Sequence, residues 1–207
     1  MLRYSDSDLR QALDKLPRDH RVGFAAACAQ RLLPRYVMFY AKLGNNKPND
    51  GQVMSTSLDL LWRDLSGARL RDEEIADMID RVLAVMPHED TALEANEPYA
   101  TDAAASVAFA LQARLTGESK FAISAARRIY HALDNFVINN LFGRKSVLSN
   151  VDEEIVLAHP LIQHELARQH RDLDNLRSAL NTAPSKAKVL SELRKLAEEQ
   201  SSRVFIV

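Results

Sequence analysis

The sequence contains one cysteine, six glycines and seven prolines among 207 residues, and it has no long apolar run. Cys28 has no partner for a disulfide or a cysteine-based zinc site, and its small apolar neighbours predict a buried packing residue. The scarcity of glycine and proline disfavours a many-stranded β fold. No apolar stretch approaches the ~18 residues that a membrane span needs, and the polar N-terminus lacks a signal region. We therefore expect a cytoplasmic protein that does not associate with membranes.

An excess of charge of one sign is also missing. The formal net charge is −1, from 27 basic and 28 acidic residues. The chain therefore lacks the bulk positive field that drives nucleic-acid binding, and we predict no nucleic-acid partner. The phosphate loops G-x-x-x-x-G-K-[ST] and G-x-G-x-x-G and the nucleophile elbow G-x-S-x-G do not occur. These absences exclude the common nucleotide-binding and serine-hydrolase signatures, and no cofactor is predicted.

Apolar residues make up 46% of the chain and recur at helical spacing from end to end. The pattern is clear in segments such as "SLDLLWRDL", "EEIADMIDRVL" and "AISAARRIYHAL", where apolar residues fall three and four positions apart. No alternating strand pattern competes with it, and no repeat of fixed period indicates a solenoid. We predict an all-α, single-domain multi-helix bundle over residues 1–207.

A proline interrupts the apolar run "RLLPRYVMFYAKLG" at Pro34. Proline lacks the amide that bonds the carbonyl four residues earlier, and it disfavours helical geometry at the preceding residue. We therefore predict a proline-kinked elbow near the N-terminus, in which a second helical segment begins at the proline. The aromatic residues that follow continue the helical period and favour core packing. The alternative is a small-ligand site between helices, lined by Tyr36, Phe39, Tyr40 and Trp62.

Histidines are concentrated in "HPLIQHELARQH", which contains His159, His164 and His170. At ~100° per residue, His164 and His170 point in widely different directions around a helix. A zinc site needs three or four converging ligands, and the Glu-x-x-His spacing of helical di-iron proteins does not occur. No metal site is predicted.

The polar group most suggestive of chemistry lies in "AARRIYHALDN". Arg127 and His131 are four residues apart and His131 and Asp134 are three apart, so the three side chains share one helix face. A histidine oriented by an aspartate beside an arginine can act on RNA or a phosphate ester. The structural interpretation, a partly exposed face with local ion pairs, is the commoner case.

Four segments together resemble the YjaG-like family of uncharacterised, cytoplasmic, all-helical bacterial proteins. They are "FAAACAQRLLPRYVMFYAKLG", "LDLLWRDL", "DAAASVAFALQARLTGE" and "HPLIQHELARQHRDLDNL". The resemblance covers most of the chain and is most specific in the proline-aromatic segment and the Leu-Trp helix. It implies an all-helical fold and a bacterial setting. It implies no reaction and transfers no functional residue.

Two functional hypotheses follow from the sequence. The first is a non-catalytic helical protein that acts through a protein partner or as a homodimer, because no catalytic motif is present and the terminal "FIV" is apolar. This tail is expected to dock on the body or on a partner. The second is a hydrolase or nuclease that uses Arg127, His131 and Asp134, and it requires an open pocket at these residues.

Overall fold

The computed structural model describes residues 1–43, 50–143, 149–180 and 186–205. Within these ranges the chain forms ten α-helices and no β-strand, which confirms the predicted all-α class. The helices are α1 (Asp6–Leu13), α2 (Arg18–Leu43), α3 (Asp50–Arg63), α4 (Asp72–Ala84), α5 (Glu89–Glu94), α6 (Ala100–Thr116), α7 (Ser119–Phe142), α8 (Asn150–Ala158), α9 (Pro160–Ala179) and α10 (Lys186–Ser201). A π-type turn, Asp64–Ala68, follows α3.

The centre of the bundle is built by α2, α6 and α7, which pack against one another. Their facing sides are rich in alanine, and small side chains at a contact allow helix axes to lie close together. The buried alanines include Ala25, Ala26, Ala27 and Ala29 on α2, Ala103, Ala104, Ala108 and Ala110 on α6, and Ala122, Ala125, Ala126 and Ala132 on α7. The outer helices cover this centre, with α10 on α2, α4 on α6 and α9 on α7.

Helix α2 continues through Pro34 as one element of 26 residues. The predicted helix that contains the proline is therefore present, but no separate helix begins at Pro34, and the kink itself stays a prediction. Buried residues extend along α2 on both sides of the proline, from His20 to Phe39. This packing outweighs the cost of a proline inside a helix, about 3 kcal/mol from the lost hydrogen bond and the clash of the ring with the preceding turn, because tertiary contacts supply most of a helix's stability.

The C-terminal segment packs on the body of the bundle beside the second half of α2. The ring of Phe205 stacks on Tyr99 and meets Phe136 edge-on, with ring centroids 5.3 Å apart in both pairs. The guanidinium carbon of Arg35 lies 3.9 Å from the centroid of the Phe205 ring, a cation–π contact. The apolar tail therefore docks on the body as far as Phe205, and its last two residues lie outside the described ranges.

Candidate functional site

A row of polar side chains occupies the buried face of α9. Glu165, Gln169 and Asp172 follow one another at intervals of four and three residues, which places them on one face of the helix. Their exposed fractions are 0%, 1% and 1%, and Arg31 of α2, which lies against them, is 1% exposed. Charged residues are almost never buried to this extent unless they are paired.

Arg31 joins the two carboxylates of this row. Its Nη1 donates a hydrogen bond to Oδ2 of Asp172 at 2.7 Å, and its Nη2 donates to Oε1 of Glu165 at 3.0 Å. Nε2 of Gln169 donates to the same Glu165 oxygen at 3.1 Å and to the carbonyl of Ala126 on α7 at 3.4 Å. These bonds connect α2, α7 and α9 at one point. We call Arg31, Glu165, Gln169 and Asp172 the buried ion network.

The network keeps Arg31 charged and leaves the neighbouring thiol unreactive. Burial alone lowers the pKa of Arg31, but the charges of Glu165 and Asp172 outweigh it and hold the pKa above its ordinary value. Cys28 Sγ lies 3.5 Å from Nη2 of Arg31. Burial nevertheless raises the pKa of the Cys28 thiol, against the opposing effect of Arg31. A buried thiol with a raised pKa is a poor nucleophile, which supports the packing role that the sequence predicts for Cys28.

Arg168 connects this network with the protein surface. Its Nη1 lies 3.6 Å from Oε2 of Glu165, so the two side chains form an ion pair. On its outer side Arg168 borders an open cleft of about 400 Å³ between α9 and the end of α10. We call this surface the arginine cleft; it is lined by Arg168, Arg171, Glu199, Gln200 and Arg203.

Positive charge predominates in the arginine cleft, because three guanidinium groups face the single carboxylate of Glu199. Burial lowers the pKa of Arg168, and the charges of Arg31 and Arg171 lower it further against the attraction of Glu165. Guanidinium groups bind carboxylates and phosphates through paired hydrogen bonds, so the cleft is suited to an anionic group.

The three residues of the predicted catalytic face lie in different surroundings. The guanidinium of Arg127 forms an ion pair with Asp6 of α1, and His131 is exposed. Asp134 lines a cavity of about 340 Å³ together with Glu153 of α8, and neither Arg127 nor His131 lines this cavity. Burial raises the pKa of Asp134, and the charge of His131 opposes this. The structure therefore places Asp134 beside a cavity and directs Arg127 towards α1.

The aromatic residues proposed as a ligand site are packed in the core. Tyr36, Phe39 and Trp62 are buried. The ring centroid of Tyr40 lies 5.0 Å from that of Tyr36 and 5.5 Å from that of Phe39. Nε1 of Trp62 donates to Oε1 of Gln30 at 3.2 Å. These contacts support the core interpretation, and a ligand site at these rings stays a prediction.

The sequence interpretation did not identify the buried ion network, because it considered only the histidines and the apolar residues of α9. A signal was present: Glu165 and Asp172 directly precede Leu166 and Leu173, two residues of the apolar stripe. Arg31 likewise precedes Leu32 in the stripe of α2. Charges of opposite sign beside apolar positions on two helices are compatible with a buried pair. The signal is weak, because most such charges point to solvent.

The fold and the buried ion network define the class of protein: an all-α helical bundle with a charged cluster in its core. Residues 8–203 match the family described as "Protein of unknown function (DUF416)", and the chain belongs to this family. A crystal structure of a DUF416 family protein from Shewanella baltica OS155 is similar, with a TM-score of 0.75 and 23% sequence identity, over 91% of this chain and 92% of that chain. At this identity the likeness shows the fold alone. No curated protein matches the chain.

Membership in this family confirms the predicted resemblance to proteins of unknown function, while the narrower YjaG-like name and the bacterial and cytoplasmic settings stay predictions. Among the described helices, none combines the length and the apolar character that crossing a bilayer would require. Within the described ranges, no three His, Cys, Asp or Glu side chains are grouped so that they could hold a metal ion.

Proposed function

We propose that this protein is a non-catalytic protein-interaction module that binds an acidic protein segment at the arginine cleft. The observation that carries the proposal is the convergence of three guanidinium groups, from α9 and from the segment after α10, on one open surface. Arginine is the residue best suited to charged interfaces, because its planar group binds carboxylates through paired hydrogen bonds and is weakly hydrated.

The buried ion network supports this function by fixing one of the three arginines. Arg168 is paired with Glu165, which is itself held by Arg31 and Gln169 in the core. A side chain held in this way loses little conformational entropy when a partner binds. Arg171 and Arg203 are exposed and adjust to the partner.

The acidic segment has two sources, a different protein or a second copy of this chain. The chain itself carries acidic helix starts at residues 72–74 of α4 and 152–154 of α8. A second copy that places one of these segments in the arginine cleft forms a head-to-tail contact. The chemistry of recognition is the same in both cases, and the experiment separates them.

The proposal is tested with fluorescein-labelled hexaglutamate, with hexalysine as the control peptide. We expect hexaglutamate alone to bind, with an affinity that falls as salt is added. The double variant Arg171→Gln/Arg203→Gln should bind about tenfold more weakly, equivalent to about 1.4 kcal/mol, for the loss of two exposed charge contacts. The matched control is Arg63→Gln/Arg81→Gln, since these two exposed arginines lie on α3 and α4.

Sedimentation velocity over a range of protein concentrations identifies the source of the segment. Self-association that is lost in Arg171→Gln/Arg203→Gln and kept in the control identifies a second copy of the chain. A monomer that binds hexaglutamate identifies a different protein. Equal hexaglutamate binding by the double variant and the unmodified chain would refute the arginine cleft as an interaction surface.

The alternative function, a hydrolase or nuclease, stays a prediction. Two observations favour an enzyme: Asp134 lines a cavity, and burial raises the pKa of the Asp134 carboxyl group. A carboxyl group with a raised pKa in a cavity is a candidate general acid or base. Arg127, however, is paired with Asp6, so this face offers fewer free groups than the arginine cleft. Cleavage of RNA or a phosphoester that is lost in His131→Ala would favour the enzyme.

A further inference from the structure

A groove between helices α1 and α9 shares no lining residue with the arginine cleft and borders the cavity beside Asp134 through Arg3 and Tyr4. Its volume is about 220 Å³, and Leu9 and Ala12 of α1 and Leu166 and Leu173 of α9 supply its apolar lining. An engineered apolar cavity of about 150 Å³ suffices for a benzene molecule. This cavity, which we call the α1/α9 groove, therefore has room for a small organic molecule with a polar head.

The amide of Gln169 gives the α1/α9 groove a fixed hydrogen-bond acceptor. Gln169 is buried and lines the groove. Its Nε2 donates inward to Glu165 and to the carbonyl of Ala126. This orientation is required, because the opposite one would place the amide oxygen against a carboxylate. Oε1 has no hydrogen-bond donor among the described residues, so it is available to a donor group in the groove.

The rim of the groove carries charges of both signs, the cations Lys15 and Arg177 and the carboxylates of Asp8 and Asp174. Lys15 lies in the turn that follows α1, and it lines the groove. It has no ion-pair partner among the described residues. Arg177, at the other end, is loosely paired with Asp174 at 3.9 Å. Lys15 is exposed, so its attraction for a carboxylate is that of a surface cation and weakens as salt is added.

We propose that the α1/α9 groove binds a small α-substituted carboxylic acid with an apolar side chain, either an α-amino acid or an α-hydroxy acid. The carboxylate pairs with Lys15, the α-ammonium or α-hydroxyl group donates to Oε1 of Gln169, and the side chain lies on Leu9, Leu166 and Leu173. This site is independent of the arginine cleft and of the protein-interaction function proposed above.

The ligand class is tested by titration calorimetry with four probes that share one apolar side chain. Leucine and 2-hydroxy-4-methylpentanoate carry both polar groups, 4-methylpentanoate lacks the α-donor, and 3-methylbutylamine lacks the carboxylate. We expect at least one of the first two to bind, and about fivefold more tightly than either of the truncated probes, because each truncated probe lacks one of the two polar contacts. If leucine binds more tightly than 2-hydroxy-4-methylpentanoate, the α-group that donates to Gln169 is an ammonium group. If the hydroxy acid binds more tightly, it is a hydroxyl group.

Two variants locate the binding in the groove. Lys15→Gln should weaken the better α-substituted acid about fivefold, as for the loss of one exposed ion pair, and should not weaken 3-methylbutylamine, whereas Lys195→Gln, which replaces a lysine that is 77% exposed on α10, should change neither. Ala12→Phe should abolish binding of all four probes by filling the groove. Circular dichroism checks that both variants keep the fold.

The proposal is overturned if neither α-substituted acid binds, or if 4-methylpentanoate binds as tightly as both of them. It is also overturned if Lys15→Gln binds the better acid as tightly as the unmodified chain does. Lys15→Gln changes an exposed side chain, so this result is interpretable even if Ala12→Phe fails to fold.

Discussion

Arg31 places a positive charge on a helix face whose neighbouring residues are small and apolar. Taking an ion out of water costs several kcal/mol, and only well-placed partners offset this. Glu165 and Asp172 supply them at 3.0 and 2.7 Å. Stability at this point therefore depends on all partners being present, since the loss of one leaves the others buried without compensation.

The buried ion network predicts opposite outcomes for single and combined replacements. Arg31→Met should destabilise the fold by about 3 to 5 kcal/mol, because it leaves the buried Asp172 without its cation and Glu165 with only its longer contact to Arg168. Arg31→Met combined with Glu165→Leu and Asp172→Leu should recover most of this loss, since apolar residues of similar size replace buried ion pairs at little cost. Urea unfolding followed by circular dichroism measures both values.

Arg63→Met, at an exposed arginine of α3, is the control and should change stability by no more than about 0.5 kcal/mol. The triple variant also separates stability from binding. Arg168 loses Glu165 in it, so hexaglutamate binding at the arginine cleft should fall although stability recovers. If the triple variant is less stable than Arg31→Met alone, the ion pairs of the network contribute more to stability than is needed to offset the cost of burying their own charges.

The sequence predicts some features of the helices and not others. Helical spacing of apolar residues is predicted along the whole chain, and on α9 Ile162, Leu166 and Leu173 are buried while Leu180, just after the helix, is exposed. The polar row of α9 was not predicted, because helical periodicity separates apolar from charged residues and assigns the charged ones to solvent. Arg31, the partner that reverses this assignment, lies 134 residues before Glu165 in the chain, so only the packed fold reveals the pair.

Helix α2 shows the limit of local rules in another way. Proline chemistry predicts a break at Pro34, and this rule describes an isolated helix correctly. In the bundle the buried side chains on both sides of the proline hold α2 as one element. The candidate sites have the same limit: the arginine cleft and the α1/α9 groove each join residues from two elements, and their meeting depends on helix arrangement.

The contact between α2 and α10 depends on a glycine. A Cβ atom added at Gly23 would lie 2.5 Å from Cδ2 of Leu190, which is buried and has little room to move. Alanine is preferred to glycine in a helix by about 1 kcal/mol, but overpacking costs about 1 to 3 kcal/mol. We expect Gly23→Ala to destabilise the unmodified chain and to stabilise Leu190→Ala, in which the clashing atom is gone.

A double-mutant cycle, measured by urea unfolding, gives the coupling between Gly23 and Leu190. We expect a coupling energy of at least about 1 kcal/mol, as for residues in direct contact. Additive effects would mean that Leu190 moves aside without cost and that α10 is not held closely against α2. The Leu190→Ala variant alone serves as the reference, because it measures the cavity that the smaller side chain leaves.

At the scale of the whole molecule, one cluster of buried apolar side chains extends through the described parts of every helix except α5. It contains Leu9 and Leu13 of α1 as well as Val204 near the C-terminus, so the two ends of the chain contribute to one core. A continuous core favours cooperative unfolding. The sequence prediction of a single domain over residues 1–207 stays a prediction, and cooperativity is the property that tests it.

Trp62 makes this test direct, since it is the only tryptophan and is buried on α3. We expect Trp62 fluorescence and far-UV circular dichroism to give coincident urea transitions, because one cooperative unit loses its core and its helices together. Leu13→Ala, on the separate helix α1, should lower the midpoint of both signals equally, at a cost of about 2 to 5 kcal/mol for a buried leucine. Two separate units would instead give a circular dichroism transition that shifts while the Trp62 transition stays in place. That outcome would contradict the single domain and would place α1 outside the unit that contains α3.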